Sequence, residues 1–146
     1  ELLVHFRTRI RHADIDKAIL TVFERFELQS GIKADFEHIG SLKFIPEDEG
    51  IQVLHIVQEA LANVRKHAQA RQVKLRVENE PMHVRIRIED DGVGFDLGQL
   101  LPEKHIGLRI MKERATRIGG QLSIISTPGT GTVLTLLLRR FEPQEV

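Results

Sequence analysis

The segment 54–70, near the middle of the chain, constrains the fold more than any other part of the sequence. Apolar residues recur in it at steps of three and four positions, which is the period of a helix with one buried face. They are Leu54, Val57, Leu61, Val64 and Ala68. The segment is therefore predicted to form an amphipathic helix whose apolar stripe packs on the core of the domain.

The opposite side of this predicted helix carries a row of polar residues. With about 100° of rotation per residue, Glu59, Asn63 and Lys66 fall within about 60° of one another. His67 lies at the edge of the same face. A carboxylate, an amide, an ammonium and an imidazole in this arrangement could together hold a divalent metal ion and a polyphosphate. The alternative is the solvated face of an ordinary amphipathic helix, and the segments downstream decide between the two.

Size and composition exclude several classes of protein. The 146 residues suffice for one domain with a proper core. A formal net charge of zero gives no global argument for a nucleic acid or an anionic membrane as the main partner. The absence of cysteine excludes a disulfide framework and thiolate chemistry. No apolar run approaches the roughly 18 residues of a membrane span, and no signal peptide is recognisable at the first residues.

Helical and strand-like patterns alternate along the chain. The predicted helices are a short stub at 2–10, then 14–29, the segment from Pro46 through 70, and 107–118. The predicted strands are 32–39, 73–77, 84–88, 121–126 and 132–140, with a turn near Pro81. This order predicts an α+β fold, a two-layer sandwich in which a mixed sheet of about five strands is covered on one face by about three helices.

Basic residues alternate with apolar ones along the hairpin predicted over 73–88. They are Lys74, Arg76, Arg85 and Arg87, preceded by Arg71. Such a row could bind nucleic acid, but no aromatic residues are interleaved to stack on bases. We therefore interpret it as the solvated side of the sheet and expect no nucleic-acid partner.

Asp90 is the most informative single position in the sequence. The strand phase of 84–88 continues the apolar face to Asp90, and a carboxylate that faces a core needs a donor, because unpaired burial costs several kcal/mol. Gly92 and Gly94 follow, and glycine permits an unusual turn beside a flat ligand. The amine of an adenine would supply the donor. An Asp-Gly turn that ends a strand is the alternative.

Two further glycine segments could bind phosphate. Gly107, followed by Leu108, is placed at a predicted helix start, where free backbone N–H groups and the helix dipole favour an anion. The alternative is an ordinary helix start with Leu108 in the core. Gly129, Gly131 and Thr132 lie between the last two predicted strands, where a hairpin turn is the simplest interpretation. No Gly-Lys dipeptide occurs, which excludes a P-loop.

These segments are individually weak signals, but their order is specific. Glu-x-x-x-Asn-x-x-Lys-His (59–67) is followed by Asp-x-Gly-x-Gly (90–94), Gly-Leu (107–108) and Gly-Thr-Gly-Thr (129–132). The set resembles the Bergerat-type ATP-binding fold. Sensor histidine kinases, type II topoisomerases, the ninety-kilodalton heat-shock chaperone and the MutL repair proteins share that fold.

Within this superfamily, the chain resembles one group of kinases over essentially its whole length. The segments Q-E-A-L-A-N-V-R-K-H-A-Q-A (58–70) and G-L-R-I-M-K-E-R-A (107–115), with a short lid between the glycine motifs, resemble kinases that partner LuxR/NarL-type response regulators. The opening E-L-L-V-H-F-R-T-R-I (1–10) and the helix and strand after it are most similar to bacterial nitrate/nitrite sensor kinases. The resemblance implies relay of a phosphoryl group from ATP to such a regulator.

The resemblance implies roles for the polar residues of the central helix. Asn63 would coordinate Mg²⁺ that bridges the phosphates of ATP. Glu59 would lie beside the metal and orient its bound water or act as a base. Lys66 and His67 would contact the phosphates. Phosphoryl transfer of this kind needs mainly positioning and charge neutralisation, which such residues and the metal can provide.

The resemblance also implies a purine pocket and a lid. Asp90 would accept a hydrogen bond from the adenine amine, helped by Thr132 directly or through water, while Gly92 and Gly94 would shape the pocket. Residues 95–106 would form a lid over ATP, hinged at Gly94 and Gly107. The remaining nucleotide-binding residues implied are Gly107, Leu108, Gly129 and Gly131.

The implied partners are not encoded in the sequence at hand. In these kinases the phospho-accepting histidine precedes Asp or Glu on an upstream helix, and none of the seven histidines has that setting. His12 is the nearest, in a loop at the start of a helix. We expect 1–12 to be the remnant of a connection to an absent dimerisation domain, and 13–146 to be the catalytic domain. The parent is expected to be a homodimer anchored in the bacterial inner membrane, with this domain in the cytoplasm.

Two other functions remain possible from the sequence. An ATP-driven machine of the topoisomerase, chaperone or MutL kind would use Glu59 to activate water, but those proteins carry longer lids and transducer domains. A nucleotide-sensing module without catalysis is the third alternative. Every polar position expected of a working site is filled, which favours catalysis over sensing.

Overall fold

One mixed sheet and a layer of helices make up the part of the chain that the computed structural model describes, residues 14–38, 40–43 and 45–139. The predicted stub at 2–10, the proposed connection at 1–12 and His12 lie outside the described residues. The helices are α1 (Asp14–Ser30), α2 (Glu47–Asn63) and α3 (Pro102–Arg117). The strands are β1 (Lys33–His38), β2 (Gln72–Asn79), β3 (His83–Asp90), β4 (Gln121–Thr127) and β5 (Gly131–Arg139). A 3-10 turn (Leu97–Gln99) precedes α3.

The five strands have the order β1-β2-β3-β5-β4. β1 runs parallel to β2, and the other neighbours are antiparallel. The predicted fold class, a mixed sheet of five strands with helices on one face, is therefore confirmed. The predicted strands and the first helix agree with the structure to within a residue or two, which is the usual uncertainty of element ends.

The core lies between the sheet and the helices. Alternate residues of β2 and β3 are buried, while those between them are polar and largely exposed. On the outer face, Glu37 pairs with Lys74 at 3.5 Å and with Arg76 at 2.9 Å, so these basic side chains belong to a solvated ladder of charges. The whole apolar stripe predicted for the central helix is buried against the inner face.

The central helix begins where the sequence predicts. Pro46 has a φ of −55° and immediately precedes the first turn, which carries Glu47, Asp48 and Glu49. A fixed φ and negative charge at the positive end of the helix dipole both favour a helix start here.

The end of the central helix differs from the prediction. The α-helical hydrogen bonding stops at Asn63, and Val64–Ala68 form a π-helical turn, after which Gln69 adopts a left-handed φ of 50°. A π turn is wider than an α turn, so each residue rotates the chain by less than 100°. The predicted single row of Glu59, Asn63 and Lys66 is therefore interrupted after Asn63.

The last helix also starts earlier than predicted. α3 begins at Pro102, whose missing N–H and fixed φ suit the first helical position, and Gly107 lies within the helix. The predicted helix start at Gly107, with free N–H groups for phosphate, is wrong. The segment 95–106, still called the lid below, thus consists of a loop and the first turn of α3. No helix among the described residues is long and apolar enough to cross a membrane.

Candidate functional site

A cleft opens where the end of β3 faces α2 and the first turns of α3. Its polar lining is Asn63 from α2, Asp90 from β3, Thr132 from β5 and Lys104 from α3. Apolar side chains of the helices and the sheet, Leu108 among them, form the walls. The cleft thus lies between the end of β3, which carries Asp90, and the central helix, which carries Asn63.

Asp90 lies at the bottom of this cleft, on the inner face of the sheet, as its strand phase predicts. The residue is 8% exposed, and its Oδ1 accepts a hydrogen bond from the N–H of Gly92 at 2.9 Å. Burial raises the pKa of the Asp90 carboxyl, and the N–H groups of Gly92 and Thr132 partly oppose that rise. Asp90 is therefore a buried acceptor with capacity for a further donor.

The turn between β4 and β5 supports the loop after Asp90. Thr132 is the direct cross-strand partner of Asp90, and its hydroxyl lies 2.8 Å from Ser126 Oγ. Ser126 Oγ accepts the N–H of Phe95 at 2.9 Å, and the N–H of Gly129 donates to the carbonyl of Val93 at 2.6 Å. Gly129 therefore holds the loop through its backbone and does not line the cleft.

The glycines predicted to shape the pocket are required by close packing. A Cβ on Gly92 would lie 2.7 Å from the Cβ of Ala68, at the end of the π turn. Gly94 has a φ of +66°, and a Cβ there would collide with the carbonyl of Thr127. A Cβ on Gly131 would collide with the carbonyl of Asp90. Each glycine lets two backbone segments around Asp90 approach closely.

The loop after Asp90 is also hydrogen-bonded to the segment that follows the central helix. The carboxylate of Asp91 accepts the N–H groups of Arg71 at 2.8 Å and Gln72 at 3.0 Å, and the N–H of Val93 donates to the carbonyl of Ala68 at 2.7 Å. The N–H of Gln72 is the main cause that lowers the pKa of Asp91. Asp91 was not predicted as a site residue, although it stands beside Asp90 in the motif.

Glu59 and Asn63 lie one helical turn apart on α2, close to α3; Asn63 lines the cleft, whereas Glu59 does not. A Cβ on Gly107 would lie 2.8 Å from Glu59 Oε1 and 3.9 Å from Asn63 Oδ1, so the missing side chain lets α3 cross closely over both. Neither polar side chain hydrogen-bonds or ion-pairs with another residue that the structure describes. Both oxygens are therefore free to bind a ligand.

The structure does not bring every predicted residue into the cleft. Lys66 is exposed and His67 half-buried on the π turn, and neither belongs to the lining. Their contacts with phosphates stay predictions. Within 14–38, 40–43 and 45–139, no group of three or more His, Asp or Glu side chains is placed to hold a metal ion. A metal at Asn63 and Glu59 would need further ligands from a substrate.

Two cleft residues, Phe95 and Lys104, were missed by the sequence reasoning. The ammonium of Lys104 lies 3.7 Å from the centroid of the Phe95 ring, and the lysine is only 9% exposed. Burial lowers the pKa of Lys104, an effect that the charge of Asp90 partly opposes. Phe95 directly follows the glycine motif and could have been suspected for that reason. Nothing in the polar run around Lys104 indicates that its side chain turns inward.

Because these two side chains fill the cleft, the purine-sized space expected from the sequence is not open in this structure. The cavity that is left measures about 40 Å³. That is enough for a few water molecules, whereas small-molecule sites measure roughly 300 Å³ or more. Both side chains come from the lid, and Phe95 packs against the edge of the core.

Comparison with known proteins identifies the family to which this site belongs. Residues 48–142 match the model of the family described as histidine kinase-, DNA gyrase B- and HSP90-like ATPase. The signal transduction histidine-protein kinase/phosphatase DegS of Brevibacillus brevis is 40% identical over 111 residues, which are 76% of this chain and 28% of that protein. The nitrate/nitrite sensor protein NarQ of Escherichia coli is 31% identical over 147 residues, 99% of this chain and 26% of the relative.

The fold has matches among solved structures. The histidine kinase domain of the blue-light activated histidine kinase EL346 from Erythrobacter litoralis superposes with a TM-score of 0.68 at 22% identity. The match covers 87% of this chain and 59% of that one. The chain spans about a quarter of the length of the curated relatives named above.

Proposed function

The chain belongs to the family of histidine kinase-, DNA gyrase B- and HSP90-like ATPases, and on this premise we propose that it is the ATP-binding catalytic domain of a sensor histidine kinase. One observation carries the proposal: a buried carboxylate, Asp90, and an unengaged amide, Asn63, line the same cleft. The first suits the base of ATP and the second its phosphates. The names of the relatives, which are sensor kinases, support the choice within the family.

Asp90 would bind the purine. Its carboxylate is buried, accepts the N–H of Gly92 through Oδ1, and keeps acceptor capacity for the amine of adenine. The hydroxyl of Thr132, directly across the strand pair, would assist. Gly92 and Gly94 would keep the backbone close enough for a flat base to lie against it, since neither position has room for a side chain. Gly131, whose backbone packs against the carbonyl of Asp90, would complete that support.

Asn63 and Glu59 would hold Mg²⁺ together with the phosphates. The donor set fits this metal, which takes oxygen ligands and is usually bound by one or two protein groups plus substrate phosphates. Mg²⁺ would neutralise charge on the phosphate oxygens. Lys66 and His67 would approach the phosphates from the edge of the cleft, and Leu108 would pack beneath the nucleotide.

The reaction would transfer the γ-phosphoryl group of ATP to a histidine nitrogen on a dimerisation domain. The bond between the β–γ bridging oxygen and the γ-phosphorus would break to leave ADP, a phosphorus–nitrogen bond would form, and Glu59 would take the imidazole proton. The group would then pass to a LuxR/NarL-type response regulator. Similarity to NarQ, named as a nitrate/nitrite sensor protein, supports signalling of that type. The parent would be a homodimer anchored in the bacterial inner membrane.

Calorimetry with Mg·ATP tests the binding part of the proposal. The chain is expected to bind ATP in the micromolar to millimolar range and to bind it more weakly when Mg²⁺ is removed with a chelator. Absence of magnesium-dependent binding would exclude the function proposed here.

Phosphotransfer tests the catalytic part. With [γ-³²P]ATP and a separately expressed sensor-kinase dimerisation domain that carries the phospho-accepting histidine, label is expected on that histidine, with little ATP hydrolysis by the chain alone. Steady-state ATP hydrolysis by the chain alone that is lost in Glu59→Ala would instead favour an ATPase of the topoisomerase, chaperone or MutL kind.

A further inference from the structure

We propose that Lys104 sets the affinity of the purine pocket, because its side chain and the base compete for the space between Asp90 and Phe95. The inference rests on the function proposed above. It assigns to a lid residue a control over binding that neither the sequence motifs nor the names of the relatives indicate.

The first observation is the position of the lysine. Lys104 lines the same cleft as Asp90 and Thr132, is 9% exposed, and stacks its ammonium on Phe95 at 3.7 Å. A buried lysine is rare unless a partner compensates its charge. Here the aromatic face and the nearby carboxylate of Asp90 take that part.

The second observation is the space that is left. A cavity of about 40 Å³ cannot take a purine, so the base can enter only when Lys104 moves out. The ammonium of Lys104 and the amine of adenine also share one property, because each brings positively polarised N–H groups near Asp90. The charge of Asp90 favours the ammonium in the absence of a ligand, the amine of adenine would take its place, and both cannot lie in the cleft at once.

The third observation is that Lys104 is held weakly. No hydrogen bond or ion pair joins its ammonium to another residue that the structure describes. The residue lies in the first turn of α3, directly after an exposed loop, and helix ends fray readily. The lysine can therefore leave without disturbing the core.

The consequence is a lower apparent affinity, and the size of the loss depends on the fraction of molecules in which the pocket is open. When only a fraction of the molecules has Lys104 outside the cleft, the apparent dissociation constant rises by the inverse of that fraction. Removing the side chain should therefore tighten binding of every ligand that uses the base pocket, and by the same factor.

Titration calorimetry of the chain with ADP and with adenosine tests this. Lys104→Ala is expected to bind both about tenfold more tightly than the unmodified chain, a difference of about 1.4 kcal/mol, which is the scale of a desolvated cation–π contact. Lys112→Ala, on an exposed position of the same helix, is the matched control and should leave both affinities unchanged.

The outcomes separate this inference from the proposed function. Equal or weaker ADP binding by Lys104→Ala, while the unmodified chain binds ADP, overturns the role of Lys104 and leaves the proposed function standing. If neither form binds ADP or Mg·ATP, the proposed function fails and the inference fails with it. Tighter binding of ADP but not of adenosine would show that Lys104 does not act at the base, and would also overturn the competition.

A second measurement needs no change in affinity. In protein labelled with [¹³Cε]lysine, the ring current of Phe95 should shift the Cε protons of Lys104 away from those of exposed lysines, and Lys104→Arg identifies the signal. Saturation with ADP is expected to move this signal to the position of exposed lysines. A Lys104 signal that keeps its ring-current shift in the ADP complex would contradict the competition.

Discussion

Gly107 on α3 faces the carboxylate of Glu59 on α2 so closely that the two helices meet without an intervening side chain. A Cβ on Gly107 would lie 2.8 Å from Glu59 Oε1. The glycine therefore serves a close helix crossing beside the cleft, and not the helix start that its sequence context predicts.

Gly107→Ala should separate stability from activity. Alanine stabilises a helix interior by about 1 kcal/mol relative to glycine, while its methyl group would push the Glu59 carboxylate aside. We expect an unchanged or higher melting temperature and about tenfold slower phosphotransfer, measured by thermal unfolding and by transfer from [γ-³²P]ATP. Gly98→Ala, in the lid turn where a methyl group meets only Asp96 at 3.4 Å, is the control and should transfer normally. Normal transfer by Gly107→Ala would contradict a role for the Glu59 carboxylate.

Asp90→Asn should abolish most of the nucleotide affinity without weakening the fold. Loss of a hydrogen bond to a charged acceptor is worth about tenfold or more in ADP binding. The pKa of Asp90 is raised by burial. Its folded-state pKa thus exceeds the unfolded value, so protonation favours the folded state, and that contribution is lost as pH rises through the folded pKa. Unfolding of the variant at neutral pH should therefore occur at an equal or higher temperature, and a clear decrease would contradict this account.

The pH dependence of binding provides a separate check on Asp90. The ionised carboxylate is the acceptor for the adenine amine, so ADP affinity of the unmodified chain should fall as pH decreases towards the raised pKa of Asp90. Asp90→Asn should lack this component. Parallel pH profiles of the two proteins in calorimetry would mean that another group titrates.

Asp91→Ala should destabilise the loop that carries Asp90. The substitution removes the acceptor of two backbone N–H groups, those of Arg71 and Gln72, at a largely exposed site, so we expect a loss of about 1 kcal/mol in the free energy of unfolding. The pKa of Asp91 is lowered, so its contribution is present above the unfolded pKa and is lost as pH falls through the folded one. Urea unfolding of the unmodified chain and the variant should therefore converge in acid. Asp91→Asn, which keeps the acceptor oxygen, should lose less, and an equal loss in both variants would contradict the hydrogen-bond account.

Asn63→Ala should weaken binding of the phosphates and the metal without changing binding of the base. Its amide is predicted to ligate Mg²⁺, whereas the base end of the cleft is built by other residues, so Mg·ATP affinity should fall about tenfold while adenosine affinity stays constant. Calorimetry with both ligands measures this. Gln58→Ala, on the exposed side of the same helix, should bind both normally. An equal loss for adenosine would place Asn63 at the base instead.

Local periodicity was enough to predict most of the fold and the key acid. The alternation of β3 assigned Asp90 to the inner face, where it is buried, and Pro46 with three acidic residues assigned the start of α2. These features depend on neighbours in sequence, so a single chain contains the information that determines them.

What the sequence did not reveal depends on contacts between distant segments. The apolar positions Val64 and Ala68 fit an α-helical and a π-helical turn equally well, so the change after Asn63 has no pattern of its own. The start of α3 was missed because the segment around Pro102 has no apolar period. The inward turn of Lys104 depends on Phe95, a residue of another element, and on a flexible side chain whose rotamer no local rule decides.

The hydrogen bonds on either side of Gly94 restrict where the cleft can open. Val93 is tied to Ala68 and Gly129, and Phe95 is tied to Ser126, so the backbone on the Asp90 side is anchored to two separate parts of the fold. A movement of the lid that admits a ligand must therefore occur after Phe95, while the backbone before it stays in place. Mutations on the Asp90 side would deform the surface that recognises the base, whereas mutations after Phe95 would change how readily the cleft opens to it.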